Sequence, residues 1–286
     1  MVSLILSLSA AAAYMLTAAL IGSALANAMN GQLIDNHVEP ATSKPDSSNP
    51  QRWRFAAAVA GCLAISALAI SMLGTNGTLQ LSLTNSAALV CTVIAILLTL
   101  ISFQSRIETL GLALFPLAGI SVVAAAIVPA DTATISGGPG LKTHIVLSLL
   151  AYSLLSIAAM QAVLLAIQES RLRRHKVDKW SAALPPLQSM ETWMFQLIAV
   201  GFLLLSGSLA TGMLFVENIL AQHLLHKLVF SIAAWLIFAT LLWGRWRYGW
   251  RGRKAIRWTL AGCLLLALAY FGAKWVLEIL LNERWG

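Results

Sequence analysis

Three of the five histidines in this 286-residue sequence stand at the starts of apolar segments, where they could ligate a metal or a cofactor. His144 opens the stretch KTHIVLSLLAYSLLSIAAMQAVLLAI, and His223 and His226 precede a second apolar run. Neutral imidazole binds zinc, copper or haem iron, and an axial pair on haem iron needs two imidazoles that face each other. The pattern favours a site for haem or a divalent metal formed by His144 and His226. His223, three residues from His226 and on the same helical face, could support it. The alternative is that these histidines only sit at a membrane interface.

A trail of hydroxyl groups follows His144 along the same segment. Ser148, Tyr152 and Ser156 come after it at steps of four residues. Each step drifts about 40° around an ideal helix, so these residues form a slowly winding polar stripe. Polar groups in lipid seek the interior of a helix bundle. We therefore expect Ser148 and Tyr152 to line the approach to His144.

Groups for other chemistry do not accompany the histidines. The sequence has no carboxylate pair, no nucleophile beside a base and no phosphate loop, so we predict that the chain is not an enzyme. Its three cysteines are isolated within apolar runs, with no CxxC or CxxCH motif. Neither thiol exchange nor covalent attachment of haem to this chain is therefore indicated.

The composition is that of an integral membrane protein. Hydrophobic residues make up 59% of the chain and charged residues 10%, against about 25% charged in a typical soluble domain. The mean hydropathy is +0.80. The apolar runs lack the alternation of strands, so they must be helices that satisfy their own backbone groups. The net charge of +8 comes from short segments between these runs, which fits orientation in a bilayer and excludes a nucleic-acid partner.

Eight segments are long enough to span a membrane, which takes about 20 mostly apolar residues. We predict an all-α, polytopic bundle of eight transmembrane helices that forms a single membrane domain over residues 1–286. The sixth segment holds small residues that would permit close packing: Gly201, Ser208 and Gly212. The predicted spans are 3–29, 54–73, 84–103, 108–129, 143–168, 190–215, 224–244 and 256–281.

Lys and Arg are distributed unevenly among the connections. Most of the 19 lie after the first, third, fifth and seventh spans. The opposite side holds only Lys142, Lys227, Lys274 and Arg284. Since cytoplasmic connections carry the excess of positive charge, both termini should lie outside the cytoplasm. This orientation puts the three candidate histidines on the outer side of the membrane.

The segments around these histidines resemble a known family. HIVLSLLAYSLLSIAAMQAVLLAI resembles the part of the cytochrome c assembly membrane proteins, the CcsA/CcmC/HemX group, in which a histidine opens a helix and a Ser-Tyr-like stretch follows. SIAAWLIFATLLWGRWRYGWRGRKAIRWTLAGCLLLALAYFG resembles a later part, where a WLIF helix leads to an Arg, a W-x-G turn and a helix ending in YFG. The resemblance covers a core of about residues 84–275 and is greatest to the eight-span inner-membrane branch called YpjD.

The resemblance implies a multi-pass protein of the bacterial inner membrane that handles haem at the outer face. His144 matches the first outer histidine of the family motif, to which the family assigns axial ligation of haem. Haem is thus the cofactor that the family implies. The implied partners are the lipid bilayer, haem and other cytochrome c maturation proteins.

Two parts of the family pattern are missing. Members that handle haem carry a tryptophan-rich WWD segment between the helices corresponding to six and seven, where this chain reads VENILAQHLLHK. The second outer histidine, expected after the YFG helix, is absent from AKWVLEILLNERWG. These departures leave an alternative open: an accessory or regulatory membrane protein that keeps the fold without haem. Such a protein would be linked to divalent-metal tolerance or transport, with metal-transport membrane proteins as partners.

Overall fold

The computed structural model describes residues 2–34, 50–72, 79–80, 83–103, 108–127, 134–135, 139–173, 185–215 and 222–269. These residues form eight α-helices, which confirms the prediction of an all-α fold. Two strands of two residues each, β1 (Leu79–Gln80) and β2 (Thr134–Ile135), pair antiparallel. The helices are α1 (Val2–Ile34), α2 (Pro50–Met72), α3 (Leu83–Ile101), α4 (Gly111–Ile127), α5 (Pro139–Arg173), α6 (Leu187–Phe215), α7 (Gln222–Tyr248) and α8 (Arg253–Ala267).

Six of these helices are long and apolar enough to cross a membrane, so the chain is a polytopic helical membrane protein. Helix α4 is apolar but shorter, and its 17 residues correspond to about 26 Å. The last part of the eighth predicted span, up to residue 281, lies outside the described residues. The six spans are Ser3–Asn27, Gln51–Ile70, Thr84–Ile101, Gly140–Arg173, Leu187–Leu214 and Lys227–Tyr248.

Helix α5 is longer than the span predicted over 143–168. It begins at Pro139, a residue whose fixed φ suits the first helical position. It continues through the segment QESRLR to Arg173. Within this segment Glu169 forms an ion pair with Arg253 of α8, with Arg253 Nε 3.4 Å from Glu169 Oε1. Apolar periodicity marks only the part of a helix inside the membrane, so the charged ends were not predicted.

Two compact units divide the chain, and the first comprises Met1–Ser136 with Arg171–Pro186. Within it, α1 runs antiparallel to α4. The rings of Tyr14 and Phe115 are stacked with their centroids 6.0 Å apart. Gly119 of α4 approaches the backbone of α1, because a Cβ there would lie 3.3 Å from the Cα of Ala11. Small residues let membrane helices pack closely in this way.

The second unit comprises Gly137–Ser170 with Leu187–Gly286, and it contains α5 as far as Ser170 together with α6, α7 and α8. Helix α6 lies against α5 at Gly201, where an added Cβ would come within 2.8 Å of Leu155 Cγ. Helix α8 lies against α7 at Gly262, where an added Cβ would come within 2.8 Å of the Phe238 ring. This unit carries His144 and the two histidines of α7.

Candidate functional site

His144 is fixed by a hydrogen bond to the backbone of α6. Its Nδ1 lies 2.8 Å from the carbonyl oxygen of Ser208, and the Ser208 hydroxyl is more distant at 3.5 Å. A carbonyl oxygen can only accept a hydrogen bond, so Nδ1 carries the proton and donates. In the neutral imidazole the lone pair then lies on Nε2. The fold thereby selects the tautomer in which Nε2 is the nitrogen able to ligate a metal.

A glycine makes room for the His144 ring. A Cβ added to Gly212 would lie 3.0 Å from Cε1 of His144 and 3.2 Å from its Nδ1. Both distances are shorter than ordinary van der Waals contact, so a side chain at position 212 would require the ring to shift by a few tenths of an ångström. Ser208 and Gly212 are four residues apart and share one face of α6. The prediction that the small residues of the sixth span permit close packing is confirmed.

The polar stripe on α5 is half-buried. The hydroxyl of Ser148 donates to the carbonyl oxygen of Ile145 at 2.9 Å, within its own helix, and its oxygen keeps the capacity to accept. Tyr152 is likewise half-buried. The fully buried hydroxyl of this helix belongs to Ser153, which donates to Leu149 at 2.8 Å. That Ser148 and Tyr152 line the approach to His144 stays a prediction.

His223 and His226 lie in the first turns of α7, and their side chains lie outside the described residues. The level of their backbone along the bundle follows from the antiparallel packing of α6 and α7. Trp235 Nε1 donates to Ser206 Oγ at 2.8 Å, and Arg245 Nη1 donates to Glu191 Oε1 at 2.6 Å.

Both contacts give the register between the two helices. His226 is nine residues before Trp235, or about 14 Å along the helix axis. Counted along α6 from either contact, its backbone lies at the level of residues 210–215. Gly212, beside the His144 ring, falls within this interval. The fold therefore brings His144 and the backbone of His226 to one level of the same unit, near the end where α6 finishes and α7 begins.

A buried acidic residue anchors the opposite end of this unit, and sequence reasoning missed it. Glu191 is only 7% exposed and receives hydrogen bonds from Arg245 Nη1 at 2.6 Å and Arg251 Nε at 3.3 Å. Arg245 also donates to the carbonyl oxygen of Trp250 at 3.2 Å. The two arginines were expected only to orient the chain. The available signal was that Glu191 is the single acidic residue in the apolar sixth span. A carboxylate buried in such a span needs a cation as its partner.

Glu191 and Ser208 are 17 residues apart on α6, so this ionic cluster lies about 26 Å from the His144 contact. It has no part in ligation there. Among the residues that the structure describes, no group of three or more His, Cys, Asp or Glu side chains could hold a metal ion. This search includes His144 but not the side chain of His226, which lies outside the described residues.

Sequence comparison places the chain among proteins of one family. The family model described as cytochrome C assembly protein matches residues 53–281. The match extends beyond the predicted core of residues 84–275 on both sides and includes all the candidate histidines. It covers the described helices from α2 onward, apart from the first three residues of α2.

Relatives in several bacteria share parts of this sequence. The inner membrane protein YpjD of Escherichia coli is 33% identical over 235 residues, which cover 80% of this chain and 89% of that protein. An uncharacterized 28.8 kDa protein of Azospirillum brasilense is 35% identical over 150 residues, covering 51% of this chain and 55% of that protein. Protein HemX of Brevibacillus brevis is 22% identical over 134 residues, covering 46% and 49%. No solved structure shows significant similarity.

Proposed function

Because the chain belongs to the cytochrome c assembly protein family and is a multi-pass protein of the inner membrane, we propose that it binds haem at the outer face, with His144 as an axial ligand. The observation that carries this proposal is the 2.8 Å hydrogen bond from His144 Nδ1 to the carbonyl oxygen of Ser208. We infer a role in binding or presenting haem, without catalysis by the chain.

The surroundings of His144 suit a ligand histidine. Histidines that ligate metals commonly donate their second ring nitrogen to a carbonyl or carboxylate, which fixes the ring and raises the basicity of the ligating nitrogen. Ser208 provides that acceptor, and Gly212 leaves room for the ring beside it. A histidine that was merely solvated at an interface would need neither a specific backbone acceptor nor a neighbour without a Cβ.

A second ligand would come from α7. His226 is our candidate, because its backbone lies at the level of Gly212, and His223 one turn away could replace or support it. His144 and His226 would then hold the haem iron between them. Ser148 and Tyr152 would offer hydrogen-bonding groups along the approach on α5.

The outer location follows from charge. The cluster of Glu191, Arg245 and Arg251 lies at the end of the unit that carries six of the chain's 19 Lys and Arg residues, all within positions 245–257. Cytoplasmic connections carry such an excess, so we expect the His144 end of α5 to face outward. Haem bound there would be available to other cytochrome c maturation proteins outside the cytoplasm.

The visible spectrum of purified protein made with ample haem tests this proposal. We expect a Soret band that His144→Ala diminishes strongly. His175→Ala, which removes a histidine from the connection after α5, is the matched control and should leave the band unchanged. If wild-type protein shows no haem absorption, or if both substitutions act alike, His144 has a structural role only. An accessory protein that keeps the fold without haem would then explain the family membership better, and bound divalent metal should be measured.

A further inference from the structure

The turn between α7 and α8 carries an unusual concentration of cations and aromatic rings. We define this α7–α8 turn as residues 243–258, from the last turns of α7 to the first turns of α8. Its cations are Arg245, Arg247, Arg251, Arg253, Lys254 and Arg257, and its aromatic residues are Trp243, Trp246, Tyr248, Trp250 and Trp258.

The backbone of this turn has a defined shape. Gly249 and Gly252 adopt φ values of 62° and 58°, in the left-handed region that favours glycine. The Trp250 indole lies directly against Gly244, where no side chain could fit. The backbone carbonyl oxygen of Trp250 accepts a hydrogen bond from Arg245 at 3.2 Å. The side chains of the turn are therefore presented from a fixed scaffold.

Acidic residues compensate only half of these cations. Glu191 pairs with Arg245 and Arg251, and Glu169 pairs with Arg253. Within the described part of the chain, the other three cations form no ion pair, and all three are exposed: Arg247, Lys254 and Arg257. Lys254 places its Nζ 3.5 Å from the centroid of a Trp250 ring, a cation–π contact that leaves its charge uncompensated.

The aromatic residues place this turn at a membrane boundary. The span of α7 runs over Lys227–Tyr248, so its last residues lie where hydrocarbon gives way to headgroups. Trp243 is 59% exposed and Trp246 77% exposed, and their rings form an edge-on pair with centroids 5.3 Å apart. Exposed tryptophans at a span end typically lie at the level of lipid headgroups.

We propose that the α7–α8 turn binds an anionic phospholipid, with Arg247, Lys254 and Arg257 around its headgroup phosphate and Trp246 against its glycerol and upper acyl chains. Clustered cations beside membrane helices attract anionic headgroups, and each contributes appreciably to the attraction. Lys254 and Arg257 are also in the first turns of α8, where positive side chains oppose the helix dipole unless an anion is near. This site is independent of haem ligation at His144.

Native mass spectrometry of the full chain with added phosphatidylglycerol or phosphatidylcholine tests the proposal. We expect wild-type protein to retain phosphatidylglycerol in clear preference to phosphatidylcholine. The double substitution Arg247→Gln/Arg257→Gln should weaken binding of phosphatidylglycerol by on the order of tenfold or more, since two of the three uncompensated cations are lost. The control Arg52→Gln/Lys142→Gln removes the same charge from exposed positions outside the turn and should bind as wild type.

Three results would overturn this proposal. One is equal retention of the two lipids by wild-type protein, a comparison that does not depend on how the variants fold. Another is equal loss of phosphatidylglycerol in the double variant and its control. The third is binding of inorganic phosphate strong enough to displace phosphatidylglycerol, which would identify a phosphate site in place of a lipid site.

Discussion

Replacing Gly212 by alanine should displace the His144 ring and weaken haem binding. The new Cβ would lie 3.0 Å from Cε1 and 3.2 Å from Nδ1 of His144. To restore ordinary contact the ring must move by a few tenths of an ångström, away from the helix that carries its hydrogen-bond acceptor. The 2.8 Å hydrogen bond to Ser208 would then lengthen or break.

The size of this effect follows from overpacking. Adding a methyl group to a tightly packed contact costs about 1–3 kcal/mol. If the strain falls on the haem-bound state, affinity decreases by roughly fivefold to 150-fold, at 1.4 kcal/mol for each factor of ten.

Gly207 provides a matched control on the same helix. A Cβ there would lie 3.4 Å from Leu147 Cδ1, which is ordinary contact, so Gly207→Ala should be tolerated. Haem titrations followed by Soret absorbance should separate the two variants, with Gly207→Ala close to wild type and Gly212→Ala clearly weaker. Equal affinities for both variants would refute the inference that the position of the His144 ring determines haem binding.

Three further predictions concern the remaining structure. Glu191→Ala should lower the free energy of unfolding in detergent by about 1–3 kcal/mol, because Arg245 loses its partner at a largely buried site. Arg251→Gln changes a side chain that is 53% exposed and should lower it by less than about 1 kcal/mol. Similar melting temperatures for the two variants would contradict this. Gly201→Ala should destabilise the second unit by about 1–3 kcal/mol in the same thermal assay, since its Cβ would lie 2.8 Å from Leu155 Cγ. An unchanged melting temperature would show that the contact between α5 and α6 adjusts to the added methyl group without cost. Reporter fusions should establish the orientation, with cytoplasmic behaviour after Ser105, Trp180 and Gly249 and external behaviour after Gly77, Gly138 and Gly286; one inverted site would break the assignment of His144 to the outer face.

The sequence was sufficient to predict the helices because a long apolar run in lipid must satisfy its backbone hydrogen bonds internally, and without strand alternation it does so as a helix. Each of the eight predicted spans overlaps a helix among the described residues, and the eighth is described as far as residue 269. The close-packing role of Gly201, Ser208 and Gly212 was likewise predictable, since small residues in a membrane helix mark contact surfaces. The orientation of the termini stays a prediction from charge.

The contacts that fix side chains were not predictable. Ser208 is 64 residues from His144, and the hydrogen bond depends on the register of two antiparallel helices, which apolar periodicity does not determine. The pairing of Glu191 with Arg245 joins residues 54 positions apart. In the sequence Arg245 is one orienting charge among several, and no local pattern distinguishes it from Arg247.

The most direct test of the central claim is chemical rescue of a His144 variant. His144→Gly removes the proposed ligand and leaves a space that free imidazole can enter. We predict that wild-type protein binds haem with the spectrum of low-spin ferric iron, that His144→Gly loses it, and that added imidazole restores it. A wild-type spectrum without haem, or a His144→Gly spectrum that matches wild type and does not respond to imidazole, would contradict ligation by His144.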